Sequence, residues 1–167
     1  EDGVVLVAHL GLDAYDLGGY SLGARTAARM LARGAAPRRA VLAGMGLDGL
    51  LHASARSQHF RAVLTGFGTH PRGSDLWRAE AFLKSNGGDP EALLPLFDSF
   101  VDTPRDTLRA LALPVLVVAG QEDADNGSAA DLAGLLPDAR FAVVPGNHMS
   151  AVARPELGQA IADFLAG

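Results

Sequence analysis

One tight turn near the start of this chain constrains its fold more than any other feature. The turn is Gly19-Tyr20-Ser21-Leu22-Gly23, which follows a strand-like run and precedes a run with helical spacing. Because glycine has no Cβ, the chain can turn sharply beneath Ser21, and the helix can pack close to the strand. We expect a β-branched residue at Gly19 or Gly23 to damage folding as well as any chemistry at the serine. The pattern predicts a strand, a strained turn that carries a serine, and a helix.

Strand-like and helix-like runs alternate along most of the chain. Runs typical of strands cover residues 14–19, 39–46, 114–120 and 141–144, and runs with helical spacing cover 22–33, 128–136 and 155–165. The third strand is bounded by Pro114 and Gly120 and is rich in valine, as strands buried on both faces are. Alternating strands and helices build parallel sheets, so we predict the α/β class, with a parallel sheet flanked by helices.

The middle of the chain breaks this alternation. Residues 51–111 contain most of the phenylalanines and the one tryptophan, with several Gly and Pro breaks. Helix-like stretches lie around residues 54–64, 74–85 and 90–100. This composition predicts a helical insertion, a lid, between the two parts of a core domain at residues 1–50 and 112–167.

The first residues carry apolar positions that suit a buried helix better than the positively charged start of a leader peptide. Within residues 1–12 these positions are Val4, Val5, Val7, Ala8 and Leu12. We therefore expect the chain to begin inside a domain. Charged or glycine residues interrupt every apolar run well before the roughly 20 residues that a bilayer-spanning helix needs, so we expect no membrane span.

Charge and cysteine content exclude several classes of function. A net charge of -5 and a pI near 5.4 disfavour a nucleic-acid partner, since phosphate backbones are bound by clustered Lys and Arg. Arg25, Arg29 and Arg33 share one helical stripe, which we interpret as a solvent-exposed face. Without cysteine there is no disulfide, thiolate metal site or cysteine nucleophile, and we expect a cytoplasmic protein.

Three residue types placed after strands predict nucleophilic catalysis. A serine hydroxyl becomes a good nucleophile when an imidazole takes its proton, and the imidazole needs a carboxylate to hold its tautomer. Ser21 lies at the turn, Asp123 follows the strand that ends at Gly120, and His148 follows the next strand. The carboxyl ends of parallel strands meet at one edge of a sheet, so we expect the three side chains to come together.

Three segments together resemble the α/β-hydrolase fold family. They are residues 15–23, 113–123 and 144–148. The resemblance covers essentially the whole chain except the insertion, and the order Ser, Asp, His is the order of that family. It implies that Ser21 is the nucleophile, Asp123 the orienting acid and His148 the general base, with no metal and no cofactor.

The same resemblance implies a hydrolase that cleaves a carboxylic ester, a thioester or a lactone of a small molecule through an acyl-enzyme. The backbone N–H of Leu22 would help to hold the oxyanion. A carbon–carbon bond hydrolase or a perhydrolase remains open, because such relatives keep the same three residues. The alternative from a different class of function is that the chain is a non-catalytic binding module or a catalytically incomplete fragment.

The family pattern also includes a half-sheet before the nucleophile strand, with a loop that gives a second oxyanion donor. This sequence contains only the helix just before that strand, so we expect it to be the portion of the fold from the nucleophile turn onward. The half-sheet would then come from another polypeptide, from self-association or from a longer native chain. An uncovered strand edge favours association.

Other residues leave alternatives open at the site. Asp125, two residues past Asp123, is a second candidate for the acid, and Asp48 occupies a position that some members of the family use. We interpret Asp131 as a charge in the first turn of a helix. Ser21 itself has the alternative role of a helix N-cap. The histidines of the insertion do not have the spacing of a metal site.

Apolar side chains near the predicted catalytic residues are candidates for substrate binding. Leu22 and Met149 flank two of those residues in the sequence, and Met45 follows the second strand. The stronger interpretation is that the aromatic residues of the insertion form its own core. These residues are Phe60, Phe67, Trp77, Phe82, Phe97 and Phe100. Of these, we predict that Trp77 lines the pocket.

Overall fold

The strands of residues 2–167 form one parallel sheet, side by side in chain order. In the computed structural model, which describes those residues, they are β1 (Leu17–Tyr20), β2 (Ala40–Ala43), β3 (Val115–Gly120) and β4 (Ala139–Val144). Ala40 lies between Leu17 and Val115, and Val115 lies beside Ala139. The predicted parallel sheet is confirmed. Its first strand begins later than predicted, at Leu17, where the register with Ala40 of β2 begins.

Helices account for most of the remaining chain. They are α1 (Asp2–His9), α2 (Leu22–Ala32), α3 (Leu47–Leu51), α4 (Ala53–Thr65), α5 (Asp75–Ser85), α6 (Pro90–Leu93), α7 (Arg105–Arg109), α8 (Ala129–Leu135), α9 (His148–Ala151) and α10 (Pro155–Ala166). Residues 2–51 and 103–167 form a first compact unit that contains the sheet. His52–Asp102 forms a second unit, with α4 to α6 and a 3₁₀ helix at Leu94–Ser99. The second unit falls within the predicted insertion.

Alternate residues of the two inner strands face two different cores. On one face they are Ala40, Leu42, Val115 and Val117, packed against α2, α3 and α8. On the other face they are Val41, Ala43, Leu116 and Val118, packed against α9 and α10. Burial on both faces explains why β2 and β3 are continuous apolar runs. Because the strands are parallel, the turns after β1, β3 and β4 leave the sheet at the same edge.

The first helix does not have the buried position that its apolar pattern predicts. No residue of α1 is buried; Val5 is 65% exposed and Leu6 is 54% exposed. The helix approaches α2 on its Gly3 side, where a Cβ would lie 2.6 Å from the Sδ of Met30. Its apolar residues are therefore spaced for burial, but Val4 and Val7 are only half-buried and the others are exposed. No helix in residues 2–167 combines the length and the apolar character needed to cross a bilayer.

The solvent-exposed stripe predicted for the arginines of α2 is wrong at its first member. Arg25 is 6% exposed, and its Nε donates a hydrogen bond to the carbonyl oxygen of Gly49 at 3.2 Å. Arg33, two turns later, is exposed as predicted. The difference arises because α3 packs against α2 and covers Arg25, while its Gly49 carbonyl gives the guanidinium a partner.

Aromatic stacking organises the second unit. The rings of Phe60 and Phe97 stack with centroids 5.3 Å apart, and Phe97 meets Phe100 edge to face at 5.0 Å. The Oγ of Ser57 donates a hydrogen bond to the Phe97 carbonyl at 2.8 Å. The three rings therefore pack with one another, with Phe100 buried and Phe60 and Phe97 half-buried.

A buried carboxylate makes the stability of the second unit depend on pH. Glu80 is 3% exposed and pairs with Lys84, and the Nε2 of His70 lies 4.0 Å from its carboxylate. The hydrogen bond from Lys84, together with one from Gly68, lowers the pKa of Glu80, although burial opposes the change. A carboxylate with a lowered folded-state pKa stabilises the folded state above its unfolded pKa, and the contribution is lost as pH falls through the folded pKa.

We therefore expect the free energy of unfolding to fall as pH drops below about 4.3, the pKa of a glutamate in an unfolded chain. The Glu80→Gln variant should show a weaker dependence on pH. Urea unfolding can be followed by the fluorescence of Trp77, the one tryptophan, on α5 of the same unit. Glu91→Gln removes an exposed carboxylate of that unit and is the matched control. Equal pH dependence in the wild type and the Glu80→Gln variant would contradict this account.

Candidate active site

Ser21 occupies a strained turn between β1 and α2. Its φ is 53° and its ψ is -110°, and it is the one non-glycine residue with a positive φ among residues 2–167. Such a conformation costs about 1–3 kcal/mol and persists only where the surroundings impose it. The Ser21 N–H donates to the Ala43 carbonyl at 2.8 Å, and the Arg25 N–H donates to the Ser21 carbonyl at 3.1 Å. The turn is thus held by β2 on one side and by α2 on the other.

The two glycines of the turn are not equivalent. A Cβ on Gly19 would lie 2.2 Å from the carbonyl carbon of Gly23 and 2.5 Å from its oxygen. A Cβ on Gly23 would meet no atom of residues 2–167 within 4 Å, outside its chain neighbours and its own helix backbone. The space around the turn therefore supports the predicted need for glycine at Gly19 and gives no such support at Gly23.

The structure brings the predicted serine, aspartate and histidine into one hydrogen-bonded series. The Nε2 of His148 lies 2.9 Å from the Oγ of Ser21, and its Nδ1 lies 2.9 Å from the Oδ2 of Asp123. The side chains of His148 and Asp123 are 12% and 3% exposed. A carboxylate at Nδ1 favours the tautomer in which Nε2 accepts the serine proton. The Ser21 hydroxyl caps no N–H of α2, so its alternative role as a side-chain N-cap is wrong.

Contacts along the loop after β3 hold Asp123 in place. The Asp123 N–H donates to the Gly120 carbonyl at 3.0 Å, and the Asp125 N–H donates to the Oδ1 of Asp123 at 3.2 Å. Farther along, Asn126 is 4% exposed and donates its Nδ2 to the Gly44 carbonyl at 2.9 Å. The loop that carries the acid is thereby tied to the end of β2.

Of the aspartates considered for the acid, Asp123 is the one whose carboxylate contacts His148. Asp125 is exposed. Asp48 lies on α3, where its Oδ2 would be 2.5 Å from a Cβ on Gly127 in the loop after β3. Asp131 lies in the first turn of α8, as predicted, and gives its N–H to the serine that caps that helix.

His148 is the first residue of α9, a helix of one turn. The Oδ1 of Asn147 accepts from the two N–H groups after His148, both at 3.1 Å, and the Asn147 N–H donates to the Oγ of Ser150 at 3.0 Å. Just before this cap, Gly146 has a φ of 106°, and a Cβ on Gly120 would lie 2.2 Å from the Gly146 oxygen. The histidine loop therefore crosses directly over the end of β3, next to the acid loop.

Sequence reasoning missed one residue that contacts the site, Tyr20. Its hydroxyl donates to the carbonyl oxygen of His148 at 2.6 Å, and its ring centroid lies 5.4 Å from that of the imidazole. Burial raises the pKa of Tyr20 to about 12, and the negative charges of Asp123 and Asp125 add to the increase. Tyr20 fills a variable position of the turn, and no local pattern signals a contact 128 positions away.

The residues predicted to bind substrate lie in different settings. Leu22 is 40% exposed and is the first residue of α2, where N–H groups have no partner within the helix. Met149, on α9, is 59% exposed. Met45 is 1% exposed and packs in the core, so it offers a substrate no exposed surface in this structure. Trp77 lies in the second unit with the Arg72 guanidinium 6.0 Å over its ring, and its role stays a prediction. No cluster of His, Cys, Asp or Glu in residues 2–167 has the arrangement of a metal site.

No protein-family model and no curated protein sequence matches this chain, but solved structures do. A hydrolase from Pseudomonas aeruginosa PA01 matches 99% of this chain with 70% of its own, at a TM-score of 0.73 and 24% identity. The match to an enol-lactonase from Burkholderia xenovorans LB400 covers 99% of this chain and 71% of the enol-lactonase chain (TM-score 0.68, 18% identity). The match to a bromoperoxidase from Bacillus anthracis covers 97% of this chain and 71% of the bromoperoxidase chain (TM-score 0.63, 22% identity). These likenesses show that the chain has the α/β-hydrolase fold, as its three motifs indicate.

Proposed function

We propose that this protein is a serine hydrolase that cleaves a carboxylic ester, a thioester or a lactone through an acyl-enzyme. The observation that carries the proposal is the series Ser21, His148 and Asp123, with 2.9 Å at each of its two hydrogen bonds. A serine on a strained turn, an imidazole at its hydroxyl and a buried carboxylate at the imidazole are the parts that this chemistry needs. Proteins of the same fold among the structural matches include an enol-lactonase and a thermophilic esterase, which supports the substrate class.

In the acylation step, the Oγ of Ser21 attacks the substrate carbonyl carbon while its proton passes to the Nε2 of His148. Asp123 stabilises the imidazolium that forms. The N–H of Leu22 donates to the oxyanion, and the positive end of the α2 dipole adds to the stabilisation. His148 then gives its proton to the leaving oxygen or sulfur as the bond to the carbonyl carbon breaks. The acyl group remains on Ser21.

The deacylation step repeats these roles with water as the nucleophile. His148 takes a proton from water as the water oxygen attacks the acyl carbon, and the same N–H of Leu22 receives the second oxyanion. Collapse of the intermediate returns the proton to Ser21 and releases the carboxylic acid. Every proton in this cycle moves between water, substrate, Ser21 and His148.

Covalent labelling with a fluorophosphonate tests the proposal, because the reagent reacts with a serine that a neighbouring base activates. We expect the intact mass of the wild-type protein to increase by one adduct, and peptide mapping to locate that adduct at Ser21. The Ser21→Ala variant is the control and should remain unlabelled under the same conditions. A folded wild-type protein that forms no adduct would contradict the proposal and favour a catalytically incomplete fragment or a non-catalytic binding module.

A further inference from the structure

A phenol connects the serine turn with the histidine loop. Tyr20 is the last residue of β1, directly before Ser21, and its hydroxyl donates to the carbonyl oxygen of His148 at 2.6 Å. Its ring lies beside the imidazole, with centroids 5.4 Å apart and ring planes tilted by 39°. One side chain thus contacts the backbone of His148 and lies against its ring.

The backbone around Tyr20 is built to hold this ring. Gly44 follows β2 with a φ of 58°, and a Cβ there would lie 2.6 Å from the Cζ of Tyr20. The N–H of Gly44 donates to the Val118 carbonyl at 2.8 Å, which anchors that glycine to β3. The phenol therefore rests on a fixed surface. With its pKa raised to about 12, it stays protonated, and so able to donate, over the pH range in which proteins are folded.

The histidine loop needs such support because its own structure is short. α9 has four residues, from His148 to Ala151, and a helix of one turn has little stability of its own. The imidazole must meet two partners at once, the Oγ of Ser21 and the Oδ2 of Asp123, each at 2.9 Å. A displacement of about 1 Å in such an arrangement can cost a factor of about 100 in rate.

We propose that Tyr20 is a positioning residue, which fixes the imidazole of His148 against Ser21 by holding the His148 carbonyl. This inference rests on the proposed serine hydrolase function and adds a residue to it. The phenol acts through His148, and Tyr20 itself takes no part in bond making or proton transfer.

Tyr20→Phe tests the inference, since it removes the hydroxyl and keeps the ring on Gly44. We expect the maximal rate of phosphonylation by a fluorophosphonate to fall about fivefold, which corresponds to a hydrogen bond worth ~1 kcal/mol. The reagent concentration at half-maximal rate should not change, because the hydroxyl is bonded to the protein and not to the reagent. Tyr15→Phe, at the only other tyrosine of the chain, is the matched control and should react like the wild type.

A second background separates positioning from general damage to the turn. In His148→Ala there is no imidazole to position, so adding Tyr20→Phe should not lower the residual rate further. If Tyr20→Phe lowered the rate by the same factor in both backgrounds, the hydroxyl would be acting on the turn itself, and the inference would be wrong.

Hydrogen–deuterium exchange gives a readout that does not depend on activity. In Tyr20→Phe we expect faster exchange at the amides of residues 149–151, with exchange in β1 and α2 unchanged. If the fluorophosphonate does not label the wild type, the proposed function is rejected. Faster exchange in Tyr20→Phe would still support the Tyr20 contact in that case. Unchanged exchange together with an unchanged labelling rate would overturn the inference.

Discussion

Replacing Asp123 with asparagine is expected to lower kcat for the hydrolysis of p-nitrophenyl acetate by about 10⁴-fold. The Oδ2 of Asp123 accepts from the Nδ1 of His148 at 2.9 Å, and the Asp123 side chain is 3% exposed, so water has little access to replace the lost acceptor. An asparagine amide at this place can donate to Nδ1. It then favours the tautomer with the proton on Nε2, which cannot take the proton of Ser21. Steady-state kinetics at neutral pH measure the loss.

Asp125→Asn is the matched control for this prediction. Asp125 is exposed, and its contact with Asp123 uses its backbone N–H, which the variant keeps. We expect its kcat to stay within about twofold of the wild type. If Asp125→Asn lost most of its activity while Asp123→Asn kept it, Asp125 would be the acid, and the assignment of Asp123 would be wrong. Circular dichroism of both variants checks that they are folded.

Gly19→Ala is expected to destabilise the protein by about 3 kcal/mol or more. The added Cβ would lie 2.2 Å from the carbonyl carbon of Gly23, and backbone atoms cannot move aside as a flexible side chain does. Relief would require α2 to shift away from β1, which would disturb both the turn and the packing of Ala24 and Ala27 in the core. Urea denaturation followed by circular dichroism measures the loss in free energy of unfolding.

Gly23→Ala is the control because it makes the same chemical change four residues away. Its Cβ would meet no atom of residues 2–167 within 4 Å beyond its neighbours and its own helix, and it lies in α2, where alanine is favoured over glycine by about 0.5–1 kcal/mol. We expect this variant to be as stable as the wild type or slightly more so. Equal destabilisation by the two substitutions would mean that the close approach at Gly19 does not set the geometry of the turn.

The sequence predicts the sheet and the meeting of Ser21, Asp123 and His148 because both depend on local patterns. Valine-rich runs with Pro and Gly at their ends indicate β3, and glycine at both ends of the turn indicates the bend at Ser21. Parallel strands bring the segments after them to one edge, which is why residues as distant as Ser21 and His148 could be expected to meet. A further strand that pairs with the outer edge of β1 stays a prediction.

The sequence does not predict which residues are buried or which side chains contact distant backbone groups. Arg25 has the spacing of an exposed arginine, yet it is covered because α3 brings the Gly49 carbonyl within reach. Residues in α1 have the spacing of buried ones, yet none of them is buried. Tyr20 and Asn126 donate to carbonyl groups of distant segments, and neither contact leaves a periodic or compositional trace. Such contacts depend on where the completed fold places a carbonyl oxygen.

The backbone of Ser21 also limits how this protein could be redesigned. At a φ of 53°, a side chain branched at Cβ is strongly disfavoured. Threonine offers the same hydroxyl as serine but adds a methyl group at Cβ, so it does not suit this position. Cysteine and aspartate are unbranched at Cβ and can occupy it. A thiol or a carboxylate therefore suits residue 21 better than the secondary alcohol of threonine, which the backbone conformation disfavours whatever its reactivity.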